Sequence, residues 1–289
     1  MRTTSVSCIL AAGGLLLGGC SVEQTITVQD LNITGAQSSV PLHVTNDSAK
    51  ALRAVVHFTP ASKTAFSAAF LNAPVTTQGG NTLGGTTGQM RWTLPSFEAG
   101  ADFDFPLSRA ISLALGANTS GSQWGWNAGL GFHGQSEGAG IRLDVGFQWQ
   151  SFSYDVDYLL LTTTTLLTHS STDTQAVHKS ESDSHGDFYA ALTVNTTRPA
   201  GALNLFVQFA YSHQTLYDVD RQVLVFPFFG WSDKTTVSCS NIAVIPGLYF
   251  DLSPNVRLLA GARFLWPLGL DRNDPTFFVS PVVMFDVGW

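Results

Sequence analysis

From residue 97 to the end of the chain, large apolar residues alternate with small or polar residues. The clearest run is 97–105, in which Phe97, Phe103 and Phe105 are separated by acidic, alanine and glycine residues. Successive side chains of a strand point to opposite faces, so this alternation predicts strands with one apolar face. Similar runs follow along the chain at 111–117, 124–132, 141–149, 188–194, 203–211, 242–250, 256–266 and 277–289. The run at 97–105 has about the length that a tilted strand needs to cross a bilayer.

The joins between these runs alternate between short and long. Short joins are predicted at 107–110, 136–140, 198–201 and 253–255, and long polar loops at 59–95, 158–186 and 215–239. Two further joins, 119–123 and 267–275, are short as well. With 51–58 as a first, less regular strand, the pattern predicts a closed, up-and-down antiparallel transmembrane β-barrel of about ten strands. An even count puts both ends of the barrel on the periplasmic side, with the long loops outside.

Composition agrees with a barrel whose apolar surface meets lipid. Charged residues make up only 12% of the 289 residues, yet no apolar run reaches the length of a spanning helix. The alternative is a soluble β-sandwich or lipocalin-like domain, which would carry more charge on its outer faces. Lys50, Lys63, Lys179 and Lys234 all lie outside the predicted spans, as expected since a lipid-facing lysine costs about 2–4 kcal/mol at mid-bilayer. A net charge of -7 argues against nucleic acid as a partner.

The first residues predict a targeting segment. Residues 1–19 have a short positive start and an apolar run, which indicates a signal peptide. Leu17-Gly18-Gly19-Cys20 resembles the lipobox of bacterial lipoproteins, and that resemblance implies that Cys20 is lipidated and handled by the lipoprotein-sorting machinery. An ordinary cleavage site is the alternative. The predicted organisation is a signal peptide, a lipidated tether or periplasmic arm over 20–50, and a barrel over 51–289.

The last strand ends on an aromatic residue. Phe285, Val287 and Trp289 share one face of it. This ending resembles the signal by which the barrel-assembly machinery of Gram-negative bacteria recognises outer-membrane β-barrels. The resemblance reaches only the broad group of outer-membrane barrels, and it implies that the bilayer surrounding the chain is the bacterial outer membrane.

Charged residues of both signs fall on the predicted inner face. They are Glu98, Asp102, Asp104, Arg142, Asp144, Asp251, Arg257, Arg263 and Asp286. Opposite charges in a water-poor lumen must pair or be hydrogen-bonded, so a salt-bridge network is expected. An ion-selective pore lined by the same groups is the functional alternative.

Carboxylates and histidines gather near the predicted outer rim. They are Asp155, Asp157, His185, Asp187, His213, Asp218 and Asp220. Ten strands with such residues at the lip resemble omptin proteases, although no sequence motif is shared, and solvated rim charge is the simpler explanation. Three function classes follow: a non-catalytic surface, structural or binding protein, which we expect; a small channel or ligand transporter; and an omptin-like hydrolase. We expect no enzyme activity, cofactor or metal, and the sequence leaves the extracellular partner unknown.

Overall fold

The fold consists of strands joined by turns. The computed structural model describes residues 20–35, 40–45, 52–60, 65–71, 75–76, 82–83, 87–166, 169–197, 203–225, 229–253, 255–268, 271–272 and 278–289. Its strands are β1 (Cys20–Thr34), β2 (Arg53–Pro60), β3 (Ala65–Leu71), β4 (Val75–Thr76), β5 (Thr82–Leu83), β6 (Thr87–Thr93), β7 (Phe97–Pro106), β8 (Ile111–Ser120), β9 (Gln123–Ser136), β10 (Ala139–Leu166), β11 (His169–Thr196), β12 (Asn204–Val225), β13 (Phe229–Ser253), β14 (Val256–Leu268), β15 (Asp271–Arg272) and β16 (Phe278–Gly288). In these ranges no helix is long and apolar enough to cross a bilayer.

Ten of these strands close into one antiparallel barrel, as the sequence predicted. They are β2, β7 to β14 and β16, and each pairs with the next. The first and last of them meet at a seam in which β2 pairs with β16 from Arg53 opposite Gly288 to Phe58 opposite Val283. Closure leaves the barrel wall without an edge strand, which is the condition for a sheet to span a membrane.

The outer surface of the barrel is an apolar belt. Phe147, for example, is 69% exposed on the outer face of β10, while its chain neighbour Gln148 is buried inside. Every strand of the wall repeats this arrangement, and the outward residues are those that the alternation assigned to the lipid. In water such a continuous apolar surface would drive association, so its solvent is the hydrocarbon of a bilayer.

One end of the barrel, the turn end, carries tight connections. After β7, Ser108 Oγ accepts hydrogen bonds from the backbone N–H groups of Ala110 and Ile111. After β9, Gly138 has a φ of 84°, a left-handed conformation that suits glycine. The predicted join at 198–201 lies outside the described residues.

At the opposite end, the hairpin end, the structure corrects the prediction of long loops. The segments 158–186 and 215–239 belong mostly to strands: β10 and β11 are 28 residues each and pair without interruption from Ala139 opposite Thr196 to Leu166 opposite His169. Strands β12 and β13 extend in the same way. The polar side chains conceal a strand there because both of its faces meet water, so no apolar alternation marks it.

The N-terminal segment, predicted as a tether or periplasmic arm, contains a strand that pairs with the barrel. Strand β1 runs antiparallel to β10, from Cys20 opposite Leu166 at the hairpin tip to Thr34 opposite Ser153, just beyond the last residue that β9 pairs. Residues 40–45 then continue inside the barrel towards the turn end, where β2 begins. The segment is therefore part of the folded structure, and its start lies at the hairpin end.

Candidate functional site

The lumen holds a buried ionic network in three groups, which includes all nine charged residues assigned to the inner face. Asp251 is partly exposed and the other eight are buried. Two additional members, Arg53 and His57, lie on β2 and were not among the predicted lumen residues. Both occupy alternate positions of β2 that face inward. The alternation could have identified them, but it is irregular at the start of that strand.

The first group centres on Arg142 of β10. Its Nη1 and Nη2 donate to the two carboxylate oxygens of Asp104 at 2.7 and 2.9 Å, and its Nε donates to Asp144 at 2.9 Å. The guanidinium thereby bridges β7 and β10 across the lumen with a bidentate, charge-assisted contact, the strongest class of hydrogen bond available to side chains. Gly131 of β9 supplies the space, because a Cβ at that position would collide with the guanidinium.

The second group surrounds Asp286 of the terminal strand. Arg53 donates to this carboxylate through Nε at 3.1 Å and forms an ion pair with it through Nη2. Arg257 lies 3.5 Å from the same carboxylate and donates to Asp251 at 2.7 Å. Because Arg53 lies on the first strand of the wall and Asp286 on the last, this group fastens the seam that closes the barrel.

The third group places a histidine between two carboxylates. His57 Nδ1 lies 3.4 Å from Asp102 and its Nε2 lies 3.8 Å from Glu98, which is also 3.5 Å from Arg263. Both carboxylates accept a further hydrogen bond from an asparagine amide. The result is a compensated cluster, as a buried set of charges requires.

Beside these groups, the chain's own segment 40–45 fills the lumen. Its peptide groups bind to amide side chains of the wall: Asn195 accepts from Thr45 N–H at 3.0 Å and donates to Thr45 C=O at 3.1 Å. Gln208 donates to Pro41 C=O at 2.8 Å. Leu42 and Val44 are 1% and 2% exposed, so water does not reach them.

A small cavity lies beside the segment. Its volume is about 10 Å³, next to Val40, Gln208 and Arg263, and a volume of that size holds roughly one water molecule. At this level the Gln208 amide group binds the threaded backbone.

Beyond the belt, the chain forms a region that we name the collar: residues 151–166, 169–187, 213–225 and 229–239 together with β1, β3 and β6. A buried apolar cluster runs from the collar into the adjoining wall, and its collar members include Leu31, Ile33, Met90, Trp92, Phe152, Tyr154, Val156 and Leu216. Full burial of an aliphatic or aromatic side chain of this size contributes about 1.5–3 kcal/mol. The collar is thus stabilised by packing as a soluble domain would be, in addition to its ladders.

The predicted rim residues occupy separate contacts in the collar. His185 Nε2 lies 3.0 Å from the Tyr154 hydroxyl, and Asp187 accepts from Thr215 N–H at 2.8 Å. Asp157 binds the His178 ring at 2.7 Å on the exposed surface. His213 stacks on Phe188, Asp155 accepts from Ser180, and the side chains of 218 and 220 lie outside the described residues. The five whose side chains are described make these separate contacts, and they form no group of three or more that could hold a metal ion.

Two collar groups have shifted pKa values. Burial raises the pKa of the Tyr217 phenol well above its ordinary value, and the Glu181 carboxylate that accepts its hydrogen bond adds to the shift. The same carboxylate binds Lys179 and raises the pKa of that amine. Across the described residues no group of three or more His, Cys, Asp or Glu side chains is arranged to hold a metal ion.

The chain ends bear on the predicted anchor and assembly signal. Trp289 is 62% exposed on the outside at the turn end, and its N–H donates to Leu52 C=O at 3.0 Å. Phe285 and Val287 lie on the same outward face. Cys20, in contrast, is backbone-paired with the last residue of β10, about 17 positions beyond Trp149 in the belt, or roughly 55 Å along a strand. An acyl chain there would not reach the bilayer around the belt without separation of β1 from β10.

Comparisons with known proteins give fold likenesses only. No known protein family and no curated protein matches the sequence. Among solved structures, the translocator domain of autotransporter NalP from Neisseria meningitidis is 9% identical, with 84% of this chain and 90% of that chain covered and a TM-score of 0.31. The TodX monoaromatic hydrocarbon channel (deltaS2 mutant) is 7% identical over 84% and 91%, with a TM-score of 0.32. OmpT, an outer membrane protein of Vibrio cholerae, is 7% identical over 86% and 100%, with a TM-score of 0.15. Similarities this weak say nothing of what the present chain binds or does.

Proposed function

We propose that the chain is an outer-membrane barrel that presents the collar at the cell surface as a rigid, non-catalytic binding platform and does not conduct solutes through its lumen. The observation that carries the proposal is the continuation of β10 to β13 beyond the apolar belt, where they pack around a buried apolar cluster. Long outer connections and short periplasmic turns are the usual arrangement of outer-membrane barrels, which supports the assignment of the hairpin end to the exterior.

A small channel is the other function class with a physical basis, since closed barrels with polar interiors can carry ions. The filled lumen disfavours it: the segment 40–45 and the groups around Arg142 occupy the interior with hydrogen-bonded, buried atoms. Lipid on Cys20 belongs to the proposal only as the prediction made from the sequence, because the position of β1 gives it no support.

Two measurements test the proposal. An epitope tag at Thr172, near the tip of the β10–β11 hairpin, should be reached by antibody on intact cells, while a matched tag at Glu137 in the turn after β9 should be reached only after the outer membrane is opened. The purified protein should add no steady conductance to a planar lipid bilayer. Labelling of the Glu137 tag alone would show that the barrel has the opposite orientation. A stable single-channel conductance would show that the protein is a pore and contradict the platform.

A further inference from the structure

The second strand of the longest hairpin has an open edge. Strand β11 pairs with β10 along its full length, but in the described part of the chain its other side pairs with a strand, β12, only from Tyr189 to Asn195. Residues 170–176 are exposed on both faces, and 178–180 are exposed as well. An edge of this kind presents a row of backbone N–H and C=O groups to which another strand can be added.

The charges along this edge have a symmetric arrangement. Asp173 and Lys179 each lie three positions from Ala176, and they carry opposite signs. The Lys179 side chain is 55% exposed and forms an ion pair with Glu181 of the same strand. Because antiparallel pairing about a twofold axis sets position i opposite its mirror position, a twofold axis at Ala176 would set Asp173 of each copy opposite Lys179 of the other.

We propose that the open edge of β11 pairs antiparallel with the same edge of a second copy of this chain, with the twofold axis at Ala176. The pairing sets Thr172 opposite Ser180, Asp173 opposite Lys179, Thr174 opposite His178 and Gln175 opposite Val177. This inference rests on the proposed function, since it names the partner of the collar.

Neighbouring registers lack this complementarity. A twofold axis at Val177 would set Asp173 opposite Glu181, a like-charge pair that destabilises a sheet. An axis at Gln175 would set Lys179 opposite Ser171 and would leave both central charges without an opposite charge. The smallest side chain of the stretch, Ala176, lies on the axis of the favoured register, where it faces the same residue of the second copy.

The sense of the pairing also fixes where the second copy lies. Barrels in one bilayer share their orientation, so their hairpins leave the membrane in the same direction and would bring β11 edges together in parallel, with Lys179 beside Lys179. The antiparallel pairing instead joins hairpins that point towards each other. The second copy therefore belongs to a facing membrane, and the interaction is adhesive.

Cysteine cross-linking between two populations of phosphatidylcholine vesicles tests the register and the geometry together. Full-length Thr174→Cys protein in one population and His178→Cys protein in the other should form disulfide dimers under mild oxidation when the vesicles are mixed. Neither variant should do so alone, because identical positions would lie about 13 Å apart, well beyond disulfide reach. All variants carry Cys8→Ser and Cys20→Ser. In this background Ala176→Cys should form dimers between any two vesicles, and the parent should not, since Cys239 is buried.

A second test exchanges the charges of residues 173 and 179 and measures vesicle clustering by light scattering. Lys179→Asp should lower clustering at least tenfold, and addition of Asp173→Lys in the same chain should restore it. Restoration separates pairing between chains from the contact of Lys179 with Glu181, which the second substitution does not rebuild.

The outcomes distinguish the two proposals. Cross-links that require both variants in one vesicle would overturn the facing-membrane geometry. Absence of any Ala176→Cys dimer in untagged protein, when antibody reaches the separate Thr172-tagged protein on cells, would overturn self-pairing and leave the platform intact. A Thr172 tag that antibody cannot reach on cells would overturn the platform itself.

Discussion

Removal of the Arg142 guanidinium should destabilise the barrel more than any conservative change on its lipid face. Arg142 is 4% exposed and holds Asp104 and Asp144, which are 7% and 0% exposed, by hydrogen bonds of 2.7 to 3.0 Å. Arg142→Met leaves two buried carboxylates without their cation. The loss of one partner from a buried ion pair costs about 3–5 kcal/mol, because an uncompensated charge remains in a poorly solvated site.

The loss of stability should depend on whether buried carboxylates remain without a cation. Replacement of the whole group, with Arg142→Met, Asp104→Asn and Asp144→Asn together, should recover most of the loss, since neutral side chains remove the uncompensated charge. The stability of Arg142→Lys should lie between that of the wild type and that of Arg142→Met. Lysine keeps the charge, but an ammonium cannot reproduce the bidentate contact with Asp104. Leu143→Met, on the outer face of the same strand, is the matched control and should change stability by less than about 1.5 kcal/mol.

The assay is reversible guanidinium unfolding in lipid vesicles, followed by tryptophan fluorescence and by the mobility difference between unheated and heated samples on gels. The free energy of unfolding should fall by about 3–5 kcal/mol in Arg142→Met. A fall of less than about 1 kcal/mol, or a triple variant less stable than the single one, would show that the lumen around Arg142 is hydrated and that burial does not control the pair.

Three shorter predictions concern the belt and the chain ends. Val145→Arg on the lipid face should lower the free energy of unfolding by about 2–4 kcal/mol. Ser171→Arg on the exposed collar should change it by no more than about 0.5 kcal/mol. Equal effects of the two substitutions in vesicles would contradict the assignment of Val145 to the lipid-facing belt. Deletion of 287–289 removes the N–H of Trp289, which donates to Leu52 beside the seam, and the N–H of Gly288, which donates to Asn255 before β14. The heat-modifiable species should therefore be lost from cells, and normal levels would argue against an assembly role for this end. An alkyne fatty acid fed to cells should label the wild type and not Cys20→Ser, and label on the variant would exclude Cys20 as the lipid site.

The sequence was sufficient to predict the barrel wall because a wall strand has two different solvents. Lipid on one side and a compact polar lumen on the other impose a period of two, which Phe103 against Asp102 and Phe147 against Gln148 display directly. The collar lacks that contrast where β11 meets water on both faces, so residues 169–180 read as a loop although they form a continuous ladder. Strand propensity alone, in the threonines near 162–165, was the remaining signal.

The full length and the pairing of the N-terminal strand were not predicted, for a different reason. Strand β1 has a register shift between Val28 and Asp30, where its ladder with β10 is interrupted. The buried residues Val28, Leu31 and Ile33 consequently lose the regular spacing of two that would have marked them as one face. A polar, glycine-containing segment with interrupted alternation resembles a linker, and only the partner strand in three dimensions reveals its register.

The threaded segment also explains the composition of the lumen. A lumen filled by side chains alone could satisfy its charges with one another, as the groups around Arg142 and Asp286 do. An extended chain, however, brings peptide N–H and C=O groups that a wall of apolar or charged residues would leave unsatisfied at a cost of about 1–3 kcal/mol each. Asn195 and Gln208 meet that requirement, since an amide side chain can donate to one peptide oxygen and accept from one peptide N–H. The amides of the wall and the segment 40–45 therefore form one unit, and because β1 ties that segment to β10 in the collar, the filled lumen and the extended hairpin depend on the same stretch of chain.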